Sequence, residues 1–350
     1  MWSIEELLKK ATELKASDIH LTVASPPVFR IDGELQALGT EVLKNEVISA
    51  YLDSLIDRER KRILDEKGEL DFSFSFMGLG RCRVNAFRQR GSYSLVIRLI
   101  PLMAMTPEEL GLPPAVVKFT TLHKGLVLVT GPAGSGKSTT LASLLHLINH
   151  TRSGHIITIE DPIEYWHQHH KCLVTQREVG EDTQSFTAAL RAALRQDPDV
   201  ILVGEMRDTE TIAMTITAAE TGHLVFSTLH TNDAAQAIDR IIDVFPSHQQ
   251  NQIRLQLAST IQGIVAQQLF PLRGKKGRVA AFEILIASPA VRNMIRENRT
   301  YQIKNIIQTS GQIGMQTMEK AVKDLVQKGL ISPHLARERL REYWDEALEI

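Results

Sequence analysis

The chain has 350 residues, enough for two or three domains that each bury a core. Apolar residues make up 43% and charged residues 23%, which excludes a disordered or fibrous chain. The net charge of -1, from 40 basic and 41 acidic residues, gives no global field toward nucleic acid or anionic lipid. Cys82 and Cys172 are too few for a disulfide scaffold or a four-cysteine zinc site and read as reduced thiols. The first residues do not form a signal peptide, and no apolar run approaches the ~20 residues that span a bilayer. A soluble, cytosolic chain that can dock onto a membrane protein is expected.

Ile4, Leu7, Leu8, Ala11 and Leu14 have the spacing of a short amphipathic helix. Ile19, Leu21 and Val23 alternate as in a half-buried strand. Val28–Ile31 and Glu34–Leu38 flank Asp32-Gly33, a hairpin signal because both turn positions favour positive φ. Residues 44–66 are charged and helical in period. Phe72, Phe74 and Phe76 mark a strand, and strands near 81–87 and 93–100 follow, joined at Gly91-Ser92. Residues 1–100 therefore read as an α+β domain with an antiparallel sheet. Pro101, Pro107, Pro113 and Pro114 mark a linker over 101–117.

From Gly125 the pattern changes. Leu126–Val129, Ile156–Ile159, Val200–Val203 and Leu224–Phe226 are short apolar runs separated by helical stretches, the pattern of a parallel sheet buried on both faces. This core is expected over 118–287, closing with a strand at Val279–Leu285. A helical region over 288–350 follows, in which Met315, Met318, Val322, Leu325 and Val326 form one stripe ended by Gly329.

Gly131-Pro132-Ala133-Gly134-Ser135-Gly136-Lys137-Ser138 fits the phosphate-binding loop G-x-x-x-x-G-K-[ST], with a buried strand before it and a helix behind. Glycines let backbone N–H groups converge on phosphates, the helix adds its N-terminal dipole, Lys137 supplies a point charge, and Ser138 offers an oxygen to Mg²⁺. Ile159–Glu164 places Glu160, Asp161 and Glu164 at the end of an expected central strand. The Val200–Val203 run leads into Gly204-Glu205. Glycine stands where many such enzymes carry Asp, so Glu205 acts alone or through water. His223 and His230 bracket the strand at 224–229.

With these segments assembled, the chain resembles the secretion-type P-loop ATPases, in their type IV pilus retraction branch. The resemblance runs over nearly the whole chain: Lys15–Leu21, Gly131–Thr139, Ile159–Glu164, Ile201–Asp208, Thr221–Asn232 and Ala290–Glu297. It implies an α/β fold: a PAS-like N-terminal α+β domain, then a RecA-like ATPase domain with C-terminal helices. It further implies a homohexamer with ATP and Mg²⁺ at subunit junctions, cytoplasmic and peripheral at the inner face of the membrane beside a pilus platform protein. Gly131 through Thr139 would hold the nucleotide. Glu164 would be the general base and Glu205 the acid that holds Mg²⁺ together with Ser138. His230 would sense the γ-phosphate, His223 would support closure, and Arg83 and Arg98 match arginines that reach the nucleotide.

Extension and type II secretion relatives usually carry a four-cysteine metal site and an extra N-terminal domain. Two cysteines and a start at the PAS-like module favour retraction without zinc. A nucleic-acid translocase is disfavoured by near-neutral charge and 5% aromatics. A sensor without turnover is disfavoured by intact Lys137, Ser138, Glu164 and Glu205. A GTPase is disfavoured because no Asn-Lys-x-Asp segment is present. Val291, Met294 and Ile295 form an apolar stripe, which leaves Arg292, Arg296 and Glu297 free to contact a neighbour or the platform.

Overall fold

Helix α1 (Ile4–Glu13) opens on a reciprocal cap, with Glu6 N donating to Ser3 Oγ and Ser3 N to Glu6 Oε2. Its Ile4, Leu7, Leu8 and Ala11 are buried on one stripe, while Leu14 is exposed beyond its end. This is seen in a computed structural model that describes residues 2–76, 80–100 and 104–343. The chain divides into two compact units, Met1–Met103 with Glu164–Trp166, and Ala104–Ile163 with His167–Ile350.

In the first unit, strand β1 (Asp18–Leu21) is followed by the hairpin of β2 (Val28–Ile31) and β3 (Glu34–Ala37). The hairpin turns at Asp32 and Gly33, with φ of 50° and 88°. The helical stretch expected over 44–66 is two helices, α2 (Asn45–Leu55) and α3 (Arg58–Lys67). They separate because the Asp57 side chain caps the second, accepting from Arg60 N at 2.8 Å. Strands β4 (Glu69–Phe76), β5 (Gly80–Gln89) and β6 (Ser92–Leu99) complete an antiparallel sheet in the order β3-β2-β1-β6-β5-β4. The β5–β6 turn is Arg90-Gly91, at φ 50° and 78°, rather than Gly91-Ser92, because Ser92 already pairs with Gln89. Phe29, Leu52, Leu64, Val84 and Ile97 fill the core between sheet and helices.

The second unit contains helix α4 (Pro114–Val117), strand β7 (Gly125–Thr130), helix α5 (Lys137–Thr151) and strands β8 (Gly154–Glu160) and β9 (Cys172–Glu178). Helix α6 (Phe186–Ala193), strand β10 (Val200–Val203), helix α7 (Thr209–Glu220), strand β11 (Leu224–Leu229), and helices α8 (Ala234–Asp243) and α9 (Ser247–Thr260) follow. Strands β12 (Ile261–Pro271) and β13 (Arg278–Ile286) precede helices α10 (Pro289–Arg296), α11 (Ile303–Thr309), α12 (Met318–Gln327) and α13 (Pro333–Tyr343). The sheet order is β13-β12-β7-β11-β10-β8-β9, parallel except for β13. Every residue of β7 and β11 is buried, because α5 covers one face and α6 to α9 the other. Alternate residues serve the two layers: Leu126 and Leu128 face α7–α9, and Val127 and Val129 face α5.

Three further expectations change. Strand β8 is not central but second from the edge, because β9 pairs outside it. Met315 lies before the cap of α12, next to the bridge between Gln316 and Ile284, so the stripe begins at Met318. Leu112 and Val116, from the proline-marked stretch, are buried against the second sheet. Pro101 and residues 344–350 of the expected helical region lie outside the described residues. Both thiols are free and buried, and burial pushes Cys82 up to about 12. Among the described residues, no helix is long and apolar enough to cross a membrane.

Candidate functional site

Strand β7 is buried to its last residue, Thr130, and the chain then leaves the sheet as a loop that returns into α5 at Lys137. Gly131, Gly134 and Gly136 take φ of 143°, 75° and 89°, which residues bearing a Cβ rarely adopt. At Gly131 a Cβ would also lie 2.4 Å from Gln267 O and 2.6 Å from Ser135 Oγ. Lys137 is buried, and its ammonium donates to Gly131 O at 2.8 Å and Pro132 O at 3.0 Å. Burial holds its pKa below the usual lysine range, and the charge of Glu205 acts against that shift. Pro132 is half-buried, Ala133 and Ser138 are exposed, and Thr139 is half-buried on the first turn of α5.

The four strands that carry the candidate motifs, β7, β11, β10 and β8, are neighbours in the sheet. Their C-terminal ends form one edge, where a parallel sheet builds its sites. Beyond β10, Gly204 N donates to Ile159 O at 2.8 Å. A Cβ on Gly204 would lie 3.2 Å from that oxygen and 3.4 Å from Glu160 Cα, so the β8 backbone passes close to this position. The Glu205 carboxylate pairs with Arg207 at 2.5 Å and approaches His230 Nε2 at 3.5 Å. Its side chain is only 12% exposed, with the Arg207 guanidinium beside it. Thr228 Oγ1 donates to Gly204 O at 2.6 Å and fastens the turn to β11. Glu160 Oε1 accepts from Thr158 and Gln176, and Asp161-Pro162 is cis.

Lys137, Glu205 and His230 thus meet at one edge, with Arg207 as a further cation. His223 does not join them. It precedes β11, and the six residues of that strand place it roughly 20 Å from the phosphate loop edge. Its ring bonds Ala218 O at 2.8 Å and Thr221 Oγ1 at 3.2 Å. Glu164 groups with the first unit, as do Arg83 and Arg98. The two arginines are register partners on β5 and β6. Arg98 Nε donates to Asp18 Oδ1 at 3.0 Å, and Arg83 lies 3.9 Å from Asp71. Burial pushes the Asp18 carboxyl up, but hydrogen bonds from Ser17 and Arg98 outweigh it and leave its pKa below the ordinary range.

Arg207 and Gln267 were not singled out from the sequence. Arg207 stands two residues after Glu205, and the structure pairs the two side chains. Gln267 carries a weaker signal, a glutamine pair inside an otherwise apolar run. The edge also has unused hydrogen-bonding capacity, since Thr130, Ser135 and Thr231 bury hydroxyls that have no partner. Mg²⁺ takes oxygen ligands, and the exposed Ser138 hydroxyl and the Glu205 carboxylate are donors of that kind.

A glycine-rich loop between a buried parallel strand and a helix, with lysine, acid and histidine around it, defines a P-loop nucleotide-binding protein. Residues 2–346 match the model of the type II/IV secretion system protein family, and the chain belongs to that family. It is 48% identical to the Type IV pilus retractation ATPase PilT of Pseudomonas aeruginosa, over 97% of this chain and 98% of that one. It is 45% identical to a twitching motility protein of Neisseria gonorrhoeae, over 97% of this chain and 90% of the other. The crystal structure of the pilus retraction motor PilT with bound ADP matches with a TM-score of 0.88 and 49% identity, covering 97% of each chain.

Proposed function

We propose that this chain is a motor ATPase that hydrolyses ATP to drive type IV pilus retraction. The observation that carries the chemistry is the meeting of Lys137, Glu205, Arg207 and His230 at the phosphate loop edge. Near full-length likeness to a retraction ATPase supports the task. In this reading the first unit is a PAS-like module and the second a RecA-like core, assembled as a homohexamer in the cytoplasm against the pilus platform protein in the membrane. Neither nucleic acid nor zinc takes part.

The backbone of Gly131–Thr139 holds the phosphates, and Lys137 exchanges its loop carbonyls for phosphate oxygens. Ser138 and Glu205, the latter directly or through water, would hold Mg²⁺, which supplies charge neutralisation when bound. Glu164 takes the proton of the attacking water. His230, already beside Glu205, reports the γ-phosphate, and His223 supports closure from the far end of β11. Arg83 or Arg98 of a neighbouring copy offers a planar cation to the charge that spreads over the transferred phosphoryl group.

Glu164→Gln tests the assignment of the base. The variant should bind ATP normally and lose about 10²- to 10⁴-fold in turnover, the usual cost of removing a general base. Lys137→Ala should instead lose nucleotide binding. Near-normal turnover in Glu164→Gln would transfer the role to Glu205 or Glu160.

A further inference from the structure

Gln267 is a polar side chain in a buried place, 3% exposed and just past the middle of β12. Strand β12 runs parallel to β7 with Ala266 beside Thr130, so Gln267 follows β7 just past its end, where Gly131 begins the loop. Its Nε2 donates to Ser135 O at 2.8 Å, and its Oε1 accepts from Thr140 Oγ1 at 2.7 Å. The amide can face only this way, because a carbonyl oxygen accepts and never donates. One side chain thus grips the loop near its end and the first turn of α5, spanning Lys137 and Ser138.

The consequence follows from peptide geometry. The Ser135 carbonyl and the Gly136 N–H belong to one planar trans unit and point in opposite directions. A carbonyl held toward β12 turns the Gly136 N–H away from β12, into the space that the loop wraps. Gly136 makes room for this side chain, and Gly131 makes room for the β12 backbone oxygen beside it. A Cβ at Gly136 would lie 2.7 Å from Gln267 Nε2, and one at Gly131 would lie 2.4 Å from Gln267 O.

We propose that Gln267 is the positioning residue of the phosphate loop: its side-chain amide, oriented by Thr140, aims the Gly136 N–H at the nucleotide phosphates. It touches no reacting atom and acts through the backbone of Ser135 and Gly136. The proposal rests on the nucleotide-binding reading above and adds a residue outside the loop to it.

The test measures ADP affinity by calorimetry, ATP turnover, and thermal unfolding without nucleotide, all on the full chain. Gln267→Leu removes both bonds and Gln267→Glu sets an acceptor against the Ser135 carbonyl. Each should weaken ADP binding tenfold or more and raise the KM for ATP by more than it lowers kcat. Thr140→Val should weaken ADP binding severalfold, and Thr140→Ser, which keeps the hydroxyl, should restore it. A folded Gln267→Leu with unaltered ADP affinity would overturn the proposal. Where the Gln267 variants do not fold, the Thr140 pair decides: equal affinity in Thr140→Val and Thr140→Ser overturns it, and unequal affinity in the stated order supports it. Failure of the unsubstituted chain to bind ADP overturns the nucleotide reading and this proposal with it. That outcome is distinct because it involves no variant.

Discussion

Glu283 on β13 is 4% exposed, and its Oε1 accepts from Ala234 N, at the start of α8, at 2.9 Å. Burial, reinforced by Asp233 and Glu319, pushes its carboxyl from 4.5 to about 7. The folded chain therefore holds this proton more tightly than the unfolded chain does. The resulting stability is fully present below about pH 4.5 and is lost as pH rises through about 7. Glu283→Gln keeps an oxygen for Ala234 N and cannot ionise. Melting temperatures between pH 5 and 8 should fall in the parent more than in this variant, and parallel profiles would contradict the assignment. Nothing in the sequence pattern marks Glu283, because burial of a single carboxylate depends on tertiary packing. Gly204 is a different case. The sequence shows the missing aspartate, and the structure adds how closely the β8 backbone passes that position.

Among the elements, α10 separates two arginines that looked alike in sequence. Val291 and Ile295 are buried as expected. Arg292, however, is not free for a neighbour. It donates to Ala258 O at 2.7 Å and Ser259 O at 2.9 Å, satisfying carbonyls at the end of α9, and to Gln262 Oε1 at 3.3 Å. Arg296 is exposed and makes one long bond to Asn293, at 3.5 Å. Arg292→Ala should cost about 1–2 kcal/mol of stability. Arg296→Ala should change it by less than about 0.5 kcal/mol, keep ATPase activity, and impair retraction. Thermal unfolding of both variants beside turnover and retraction assays checks this, and equal destabilisation would remove the distinction. Elements with clean periods, such as α1, β7 and β11, were legible for the same physical reason that they are stable: each buries a continuous face. Strand β12 was not, since Gln262, Gln267 and Gln268 interrupt its apolar run, and two of these side chains are buried. The loop between β7 and α5 was legible because its chemistry dictates residue types at fixed spacing. The clamp on it comes from a strand about 130 residues away, and no local pattern reveals that.

For the whole molecule, the residues proposed for the chemistry fall in both units: Lys137, Glu205 and His230 in the second, and Glu164, Arg83 and Arg98 in the first. If copies share sites, specific activity should rise with protein concentration and track a hexamer on sizing. Mixing Arg98→Ala with Lys137→Ala subunits should restore some turnover at junctions that unite an intact Arg98 with an intact Lys137. Full activity from a monomer would end the shared-site reading. Such assembly could not be read from periodicity or spacing, which describe how one chain buries its own faces. The central claim, that this chain turns ATP hydrolysis into pilus withdrawal, is tested most directly by following labelled pili on living cells of its host. Cells that lack the gene should extend pili and not withdraw them, the intact gene should restore withdrawal, and the Glu164→Gln gene should not. Continued withdrawal without the chain, or full restoration by Glu164→Gln, would contradict the account.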